Sequence, residues 1–399
     1  MRRRILKDIV NFNEESNSKK KVNKKKLIIA ISIGIILLAV GITMLVYYSS
    51  SDARKFLDQH LFRKNISQEN LTSIDLDYDS NVSVFAYDRY ICVLAENKLM
   101  EYNSSGKLEN EIDLEINNPV YSVNNKYIAI SEQNGTKLNL ISGSEILWTK
   151  TLDGNISKIN VNNNGYVSVI LTGTTYKSVI TTFDNNGNEL FKTFRSTTTV
   201  VDTSISNDNK YMAFAEVNTS GTTIQSNIRV ISIEDPSDSE IFSYSAESNK
   251  LIINIEYSGN DKIICMYDDE ICMIQNGNNS SLMSLNESGK NINFANINLE
   301  NCIYRAIEEN AGLFNTNTVI EIRNVNNDST AVYTTEGAAK YIYSNNNVIA
   351  ISLGQDIVFV NTIGWLLKSY SSTQEAQDVV IGNGIAGIVY SDRVGIINL

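Results

Sequence analysis

The chain has 399 residues, of which 42% are hydrophobic, and it carries 34 Lys and Arg against 45 Asp and Glu. This composition is enough for a sizeable core and excludes global disorder. Four cysteines and one histidine exclude a disulfide scaffold and a zinc site made of clustered His and Cys ligands.

The first 48 residues have the pattern of a membrane anchor. Residues 1–26 carry ten Lys or Arg and three Asp or Glu, a net charge of +7, whereas residues 27–48 contain no charge. As a helix, such a run is about 33 Å long, enough to cross a bilayer. We predict a transmembrane signal-anchor at 27–48 with residues 1–26 in the cytoplasm. A cleaved signal peptide is the alternative, but no A-x-A site follows Tyr48.

The remainder of the chain differs in charge from the tail. Residues 27–399 carry 24 Lys and Arg against 42 Asp and Glu, a net charge of −18. An acidic surface repels phosphate, so we predict no nucleic-acid partner. Residues 49–65 predict a juxtamembrane amphipathic helix or linker, with Ser51 as its N-cap.

Residues 66–399 repeat one phrase eight times. Each copy has a polar turn and then an apolar strand, as in "NKYIAISE" from Asn125 and "NKYMAFAE" from Asn209, and successive copies start 37 to 52 residues apart. Alternation with period two and Asn-Gly or Asn-Asn turns indicate strands rather than helices. The spacing is typical of four-stranded propeller blades. We predict an all-β fold, an extracytoplasmic β-propeller of eight blades, with seven as the alternative, after one transmembrane helix.

The last copy supplies only three strands before Leu399. Residues 71–79 alternate apolar and acidic side chains: Ile74, Leu76 and Tyr78 against Asp75, Asp77 and Asp79. We predict that this segment is the missing outer strand of the last blade and closes the ring. The three aspartates could gather a cation, but a solvated outer face is the favoured interpretation.

Two glycine-containing motifs have a functional and a structural interpretation. Residues 382–387, "GNGIAG", match the dinucleotide fingerprint, but a strand rather than a helix follows them, so we predict a hairpin turn. Residues 184–189, "DNNGNE", loosely resemble a calcium loop but lack its length and its terminal Glu. We predict a turn there as well.

The chain offers few residues for catalysis. His60 is the only histidine and precedes the propeller, which makes a Ser-His-Asp triad in the ring improbable. Cys265 and Cys272 flank a two-residue turn at Asp268 and Asp269, so a cross-strand bridge is conceivable, although buried free thiols are favoured. We predict no catalytic, cofactor-binding or metal-binding residues.

Two segments resemble known repeats. "KLNLISGSEILWTKTLDGNI" from Lys137 resembles quinoprotein-like (PQQ-like) propeller repeats, and "SNDNKYMAFAEV" from Ser206 resembles TolB-type, WD40-like blades. The whole layout resembles an uncharacterised family of single-pass membrane-anchored propeller proteins of Gram-positive bacteria. That resemblance implies a cell-envelope location and brings no catalytic residue with it.

These observations favour a non-catalytic binding or scaffolding module on the outer face of a cell membrane. The expected partner is a protein, a peptide or an envelope polymer bound by the propeller loops, and no cofactor is expected. The alternative is an envelope enzyme of the quinoprotein-like or carbohydrate-lyase type.

Overall fold

The computed structural model describes residues 24–49, 57–58, 62, 64–67, 71–77, 81–124, 126–235, 241–312 and 315–399. The chain divides into two compact units, Met1–Arg63 and Lys64–Leu399.

The first unit contains one long helix, α1 (Lys24–Ser49). Near its end, the Tyr47 hydroxyl donates a hydrogen bond to Asp58 Oδ1 over 3.0 Å, and the Tyr47 ring meets Phe62 edge to face. Large apolar side chains are exposed along α1: Ile29, Ile31, Ile33, Ile35, Ile36, Leu37, Leu38, Val40, Ile42, Met44, Leu45 and Val46. Among the described residues, no helix reaches the combined length and hydropathy of a membrane span.

Part of the predicted N-terminal organisation lies outside the described residues. This holds for residues 1–23 of the basic tail, for His60, and for most of the juxtamembrane segment 49–65. Within that segment Leu57 and Asp58 are helical.

The second unit contains eight sheets, each built on three or four consecutive antiparallel strands. Blade 1 contains β3 (Ser83–Tyr87), β4 (Tyr90–Ala95), β5 (Lys98–Tyr102) and β6 (Leu108–Asp113), and blade 2 contains β7 (Pro119–Asn124), β8 (Tyr127–Glu132), β9 (Lys137–Ser142) and β10 (Glu145–Thr151). Blade 3 contains β11 (Asn155–Val161), β12 (Val167–Thr172), β13 (Ser178–Phe183) and β14 (Glu189–Arg195). Blade 4 contains β15 (Thr199–Ile205), β16 (Tyr211–Asn218), β17 (Gln225–Ser232) and β18 (Phe242–Ser245).

Blades 5 to 8 complete the ring, and two short strands from before blade 1 join the last two blades. Blade 5 contains β19 (Ile252–Ser258), β20 (Lys262–Tyr267), β21 (Glu270–Gln275) and β22 (Asn278–Ser284). Blade 6 contains β23 (Asn291–Leu299), β24 (Cys302–Asn310), β25 (Thr316–Asn324) and β26 (Thr330–Glu336). Blade 7 contains β27 (Tyr341–Asn345), β28 (Val348–Ser352), β29 (Asp356–Asn361) and β30 (Leu366–Ser371), together with β1 (Asn65–Ser67). Blade 8 contains β31 (Asp378–Ile381), β32 (Ile385–Val389), β33 (Arg393–Asn398) and β2 (Thr72–Asp75).

The first strand of each blade lies innermost. Each inner strand contacts the inner strand of the next blade, from β3 through β7, β11, β15, β19, β23 and β27 to β31, and β31 contacts β3. The chain therefore forms a closed eight-bladed β-propeller, as predicted.

Packing between blades explains why the second strands are apolar on both faces. In β8, Ile128 and Ile130 belong to a core cluster shared with blade 1, whereas Ala129 between them belongs to a cluster shared with blade 3. Burying one large aliphatic side chain stabilises a fold by about 1.5–3 kcal/mol. A single blade would leave half of this surface in water, so the ring must close.

The predicted closing strand is confirmed. β2 pairs antiparallel with β33, its Ile74 is 4% exposed, and Asp75 opposite Arg393 points to solvent. The structure adds one element that the sequence did not predict, because β1 pairs parallel with β30 at the outer edge of blade 7. Two blades, rather than one, therefore hold the N-terminal end of the ring.

Candidate functional site

A cavity of about 830 Å³ opens where the eight inner strands end. Its walls are the last residues of these strands and the turns that follow, and every blade contributes. The cavity is therefore one mouth of the central channel, which we call the amide mouth. The first residues of the inner strands lie toward the opposite end.

Asparagine dominates this wall. Twelve of the lining residues are Asn: 124, 160, 162, 163, 164, 207, 298, 301, 345, 346, 347 and 383. Some hold turn backbones in the left-handed region, such as Asn301 (φ 54°) and Asn346 (φ 53°), a conformation that Asn tolerates better than most residues.

Other asparagines of the wall tie neighbouring blades together. Asn345 Nδ2 donates to the carbonyl of Ile381 over 2.7 Å, and Asn162 Nδ2 donates to Asn209 Oδ1 over 2.6 Å. These bonds join the amide rim of blade 3 to that of blade 4, and the rim of blade 7 to that of blade 8.

The charge at the amide mouth has one sign. Asp88, Glu256 and Glu300 line the cavity, and none of the described lining residues is Lys, Arg or His. Burial and, to a smaller extent, the charge of Asp202 raise the pKa of Glu256 to about 8 against the opposing charge of Lys158. The wall is therefore suited to ligands that are cationic or neutral, and it disfavours anions.

Lys158, Asp202 and Glu256 form a charged arc on the inner strands of blades 3, 4 and 5. Lys158 Nζ lies 2.6 Å from Asp202 Oδ1, and the backbone N–H of Ile255 donates to Asp202 Oδ2 over 2.9 Å. Asp202 is almost fully buried, and this burial raises its pKa although Lys158 opposes the effect. One carboxylate thus links three consecutive blades.

An aromatic arc occupies the inner strands of blades 7, 1 and 2, and Asp378 of blade 8 lies between blades 7 and 1. Phe85 and Tyr121 stack with ring centroids 4.5 Å apart, and Tyr341 and Tyr343 lie 6.4 Å apart. The Tyr343 hydroxyl donates a hydrogen bond to Asp378, whose pKa is raised by burial against the opposing hydrogen bonds from Val379 and Tyr343. Tyr341 is 53% exposed and Tyr121 40% exposed, so this arc presents rings to solvent.

A third polar cluster lies between blades 3 and 4. Glu216 is fully buried and accepts hydrogen bonds from Thr198 Oγ1 at 2.5 Å, from Arg195 Nε at 2.7 Å and from Arg229. Burial would raise the pKa of Glu216, but these donors outweigh burial and lower it. Every oxygen of this carboxylate is engaged, so the cluster joins two blades and offers no free group to a ligand.

Both glycine motifs form turns, as predicted. Residues 382–384 connect β31 to β32 without a helix, and Gly382 leaves no room for a Cβ because the Asp88 carbonyl lies 2.5 Å from that position. In the other motif, Asp184 Oδ1 accepts the N–H groups of Asn186 and Asn188 over 2.9 and 2.8 Å. The turn itself uses the carboxylate that a cation would need.

The remaining candidates are not brought together into a site. Asp75 and Asp77 are exposed, and Asp79 lies outside the described residues. Cys265 and Cys272 lie opposite each other in register, as the two-residue turn predicts, and both are buried free thiols. Across the described part of the chain, no three His, Cys, Asp or Glu side chains are grouped so that they could hold a metal ion.

Sequence reasoning did not find the charged or the aromatic arc. Lys158, Asp202 and Glu256 come from three different repeats, and only the ring brings them together. The sequence did contain one regularity that relates the two arcs: Asp202 and Asp378 both lie three residues before the end of an inner strand. A position-by-position alignment of the eight inner strands would have placed both in one layer of the channel.

Residues 62–399 match the family described as Family of unknown function (DUF5711), which covers the whole propeller. The chain belongs to this family. No curated protein matches it.

Several solved structures are similar to this DUF5711 protein. The β-propeller domain of Myceliophteria thermophila Cps50 (Swd1) is 8% identical, with 82% of this chain and 99% of that chain covered and a TM-score of 0.44. Kuenenia stuttgartiensis hydrazine synthase is 9% identical, with 82% and 97% covered and a TM-score of 0.42. The C-terminal WD40 domain of Sif2 is 10% identical, with 71% and 96% covered and a TM-score of 0.41. At these identities the similarity concerns the fold alone.

Proposed function

We propose that this DUF5711 protein is a membrane-tethered, extracytoplasmic binding or scaffolding module of the bacterial cell envelope, without catalytic activity of its own. Its propeller presents a rigid face to a protein, peptide or envelope polymer, and the amide mouth seats the part of the partner that is recognised. The observation that carries this proposal is the cavity of about 830 Å³ to which all eight blades contribute.

The chemistry of the wall supports recognition. Amide side chains donate and accept hydrogen bonds at once, so a rim of them suits the polar surface of a peptide or a polymer. The interblade hydrogen bonds of Asn162 and Asn345 hold this rim in place before a partner arrives. Preorganisation of this kind reduces the entropy lost on binding.

A blocked mouth tests the proposal. Asn163 and Asn347 are exposed turn residues on opposite blades, and both line the cavity. In the full-length protein, Asn163→Trp with Asn347→Trp should abolish in-cell cross-linking to the partner, identified by mass spectrometry after affinity purification. The matched control, Thr151→Trp with Thr330→Trp, changes two exposed residues of the outer strands β10 and β26 and should retain the same partner. A partner captured equally by both variants would contradict a role for the mouth.

The membrane tether rests on the sequence and on the surface of α1. Residues 27–48 carry no charge, three lysines precede them, and the described apolar side chains of α1 are exposed in the isolated chain. Such a surface requires an apolar cover, and lipid provides one.

Cysteine labelling tests the topology, because all four native thiols are buried and give little background. Thr151→Cys in the propeller should react with a membrane-impermeant maleimide in intact cells. Ser16→Cys in the tail should react only after lysis. The reverse pattern, or extraction of the chain by alkaline carbonate, would refute the tether and leave the role of the mouth open to the first experiment.

A further inference from the structure

Charge is the property that selects a ligand at the amide mouth. The asparagines accept and donate equally, so they do not distinguish a cation from a neutral group. The carboxylates of Asp88, Glu256 and Glu300 do distinguish them, because no described lining residue offers a compensating cation. The acidic balance of residues 27–399 reinforces the negative potential at this wall.

Glu256 differs from Asp202 and Glu216, the buried carboxylates of blade 4. Asp202 and Glu216 are each held by a basic side chain, whereas no hydrogen bond or ion pair joins the Glu256 carboxylate to another described residue. Glu256 is nonetheless half-buried in the channel wall, with Ile264 opposite it on β20. The carboxylate lines the open cavity, so a ligand with N–H groups can reach it and form a charge-assisted hydrogen bond in place of water.

The size of the cavity and its ligand groups favour an organic cation. A volume of about 830 Å³ far exceeds a bare metal ion, and the described residues contain no cluster of three metal-ligating side chains. An ammonium group has three donors, which Glu256 and the asparagine carbonyls around it can accept.

We propose that the amide mouth binds its ligand through a primary alkylammonium group whose N–H donors pair with the carboxylate of Glu256. This inference rests on the proposed function and specifies what the mouth recognises. A lysine side chain of a peptide and a small polyamine both carry this group.

Binding of this kind is coupled to release of a proton. Glu256 has a pKa of about 8, so it is largely protonated at pH 6 and must ionise to pair with an ammonium group. The charged groups that face it are Asp202 on β15, which favours protonation, and Lys158 on β11, which opposes it, while β20 and β23 bring no charge close to it. The affinity should therefore rise about 50-fold between pH 6 and pH 8 and then level off.

Calorimetry of the full-length protein in detergent tests the inference. The probe is 1,5-diaminopentane, and 1,5-pentanediol is its neutral control of the same shape. We expect the diamine to bind at least tenfold more tightly than the diol at pH 8. Titrations at pH 7 in two buffers of different ionisation enthalpy should show release of nearly one proton.

Three variants localise the effect. Glu256→Gln should weaken diamine binding at least tenfold at pH 8 and remove its dependence on pH. Asp88→Asn, which changes a second lining carboxylate at a left-handed position that Asn tolerates, should weaken it two- to threefold. Glu145→Gln on the outer strand β10 removes an exposed carboxylate far from the channel and should change nothing.

The source of the ammonium group is decided by a second probe, a Gly-Lys-Gly peptide blocked at both ends. Tighter binding of the peptide identifies a lysine side chain, and tighter binding of the diamine identifies a small polyamine. Either result supports the inference. Equal binding of diol and diamine, no binding of either, or full affinity in Glu256→Gln would overturn it. The proposed function would survive that outcome if the blocked mouth still lost its partner.

Discussion

Asp202 and Asp378 occupy equivalent places on opposite blades of the ring, yet they are held in different ways. Asp202 in blade 4 receives a lysine from blade 3 and a backbone N–H from blade 5. Asp378 in blade 8 receives a tyrosine hydroxyl from blade 7 and the N–H of its own neighbour Val379. The first carboxylate links three blades within a continuous chain, whereas the second links two blades at the place where the ring is closed.

This difference shows how a repeated strand acquires different roles around one channel. In the charged arc, burial of a carboxylate is balanced by an opposite charge, which stabilises neighbouring blades. In the aromatic arc, the closing blade depends instead on β2 for its fourth strand. One side of the ring thus adds an ion pair to the apolar packing between blades, and the other side takes a strand from before blade 1.

The largest effect on stability is expected from a substitution that disrupts the packing of β2 in blade 8. Ile74 is 4% exposed on β2, so Ile74→Asp places a carboxylate without a partner in the core of blade 8. We expect the free energy of unfolding to fall by about 3–5 kcal/mol. Urea denaturation followed by tryptophan fluorescence measures the change. Ser73→Asp, exposed on the same strand, should cost less than about 0.5 kcal/mol. Similar losses in both variants would mean that β2 does not close the core.

Truncating the two aspartates compares the arcs directly. Asp202→Ala leaves Lys158 and the Ile255 N–H without their partner, and we expect a loss of about 2–3 kcal/mol in the free energy of unfolding. Asp378→Ala removes one tyrosine hydrogen bond from a half-buried group, and we expect a loss of about 1 kcal/mol. Equal losses would show that the lysine contributes nothing beyond a hydrogen bond.

The last prediction concerns pH. The folded state raises the pKa of Glu256 from 4.5 to about 8, so the folded chain holds an extra proton between these values. Stability is therefore highest below the unfolded pKa, falls as pH rises through this window, and is constant above about pH 8 as far as this group is concerned. Glu256→Gln should remove that fall in melting experiments from pH 5 to pH 8.5. Identical profiles for the two proteins would show that Glu256 titrates as it does in water.

Local pattern predicted the ring but not its interior chemistry. Strands and turns follow local preferences, which show in the alternation of segments such as residues 71–79 and in the Asn-rich turns. The blades and the closing strand could therefore be predicted from the sequence. β1 could not be found in this way, because three residues are too few to show a period and their pairing with β30 depends on an edge some 300 residues away. The charged arc was missed for a similar reason, since its members lie in separate repeats.

The placement of β1 has a mechanical consequence. A pull on the chain from before Lys64 reaches the three-residue parallel pairing of β1 with β30 before it reaches the four-residue antiparallel pairing of β2 with β33. Parallel pairing is the weaker kind per residue. Under tension, β1 would detach first and lengthen the chain at the edge of blade 7, while the pairing of β2 with β33 keeps the ring closed.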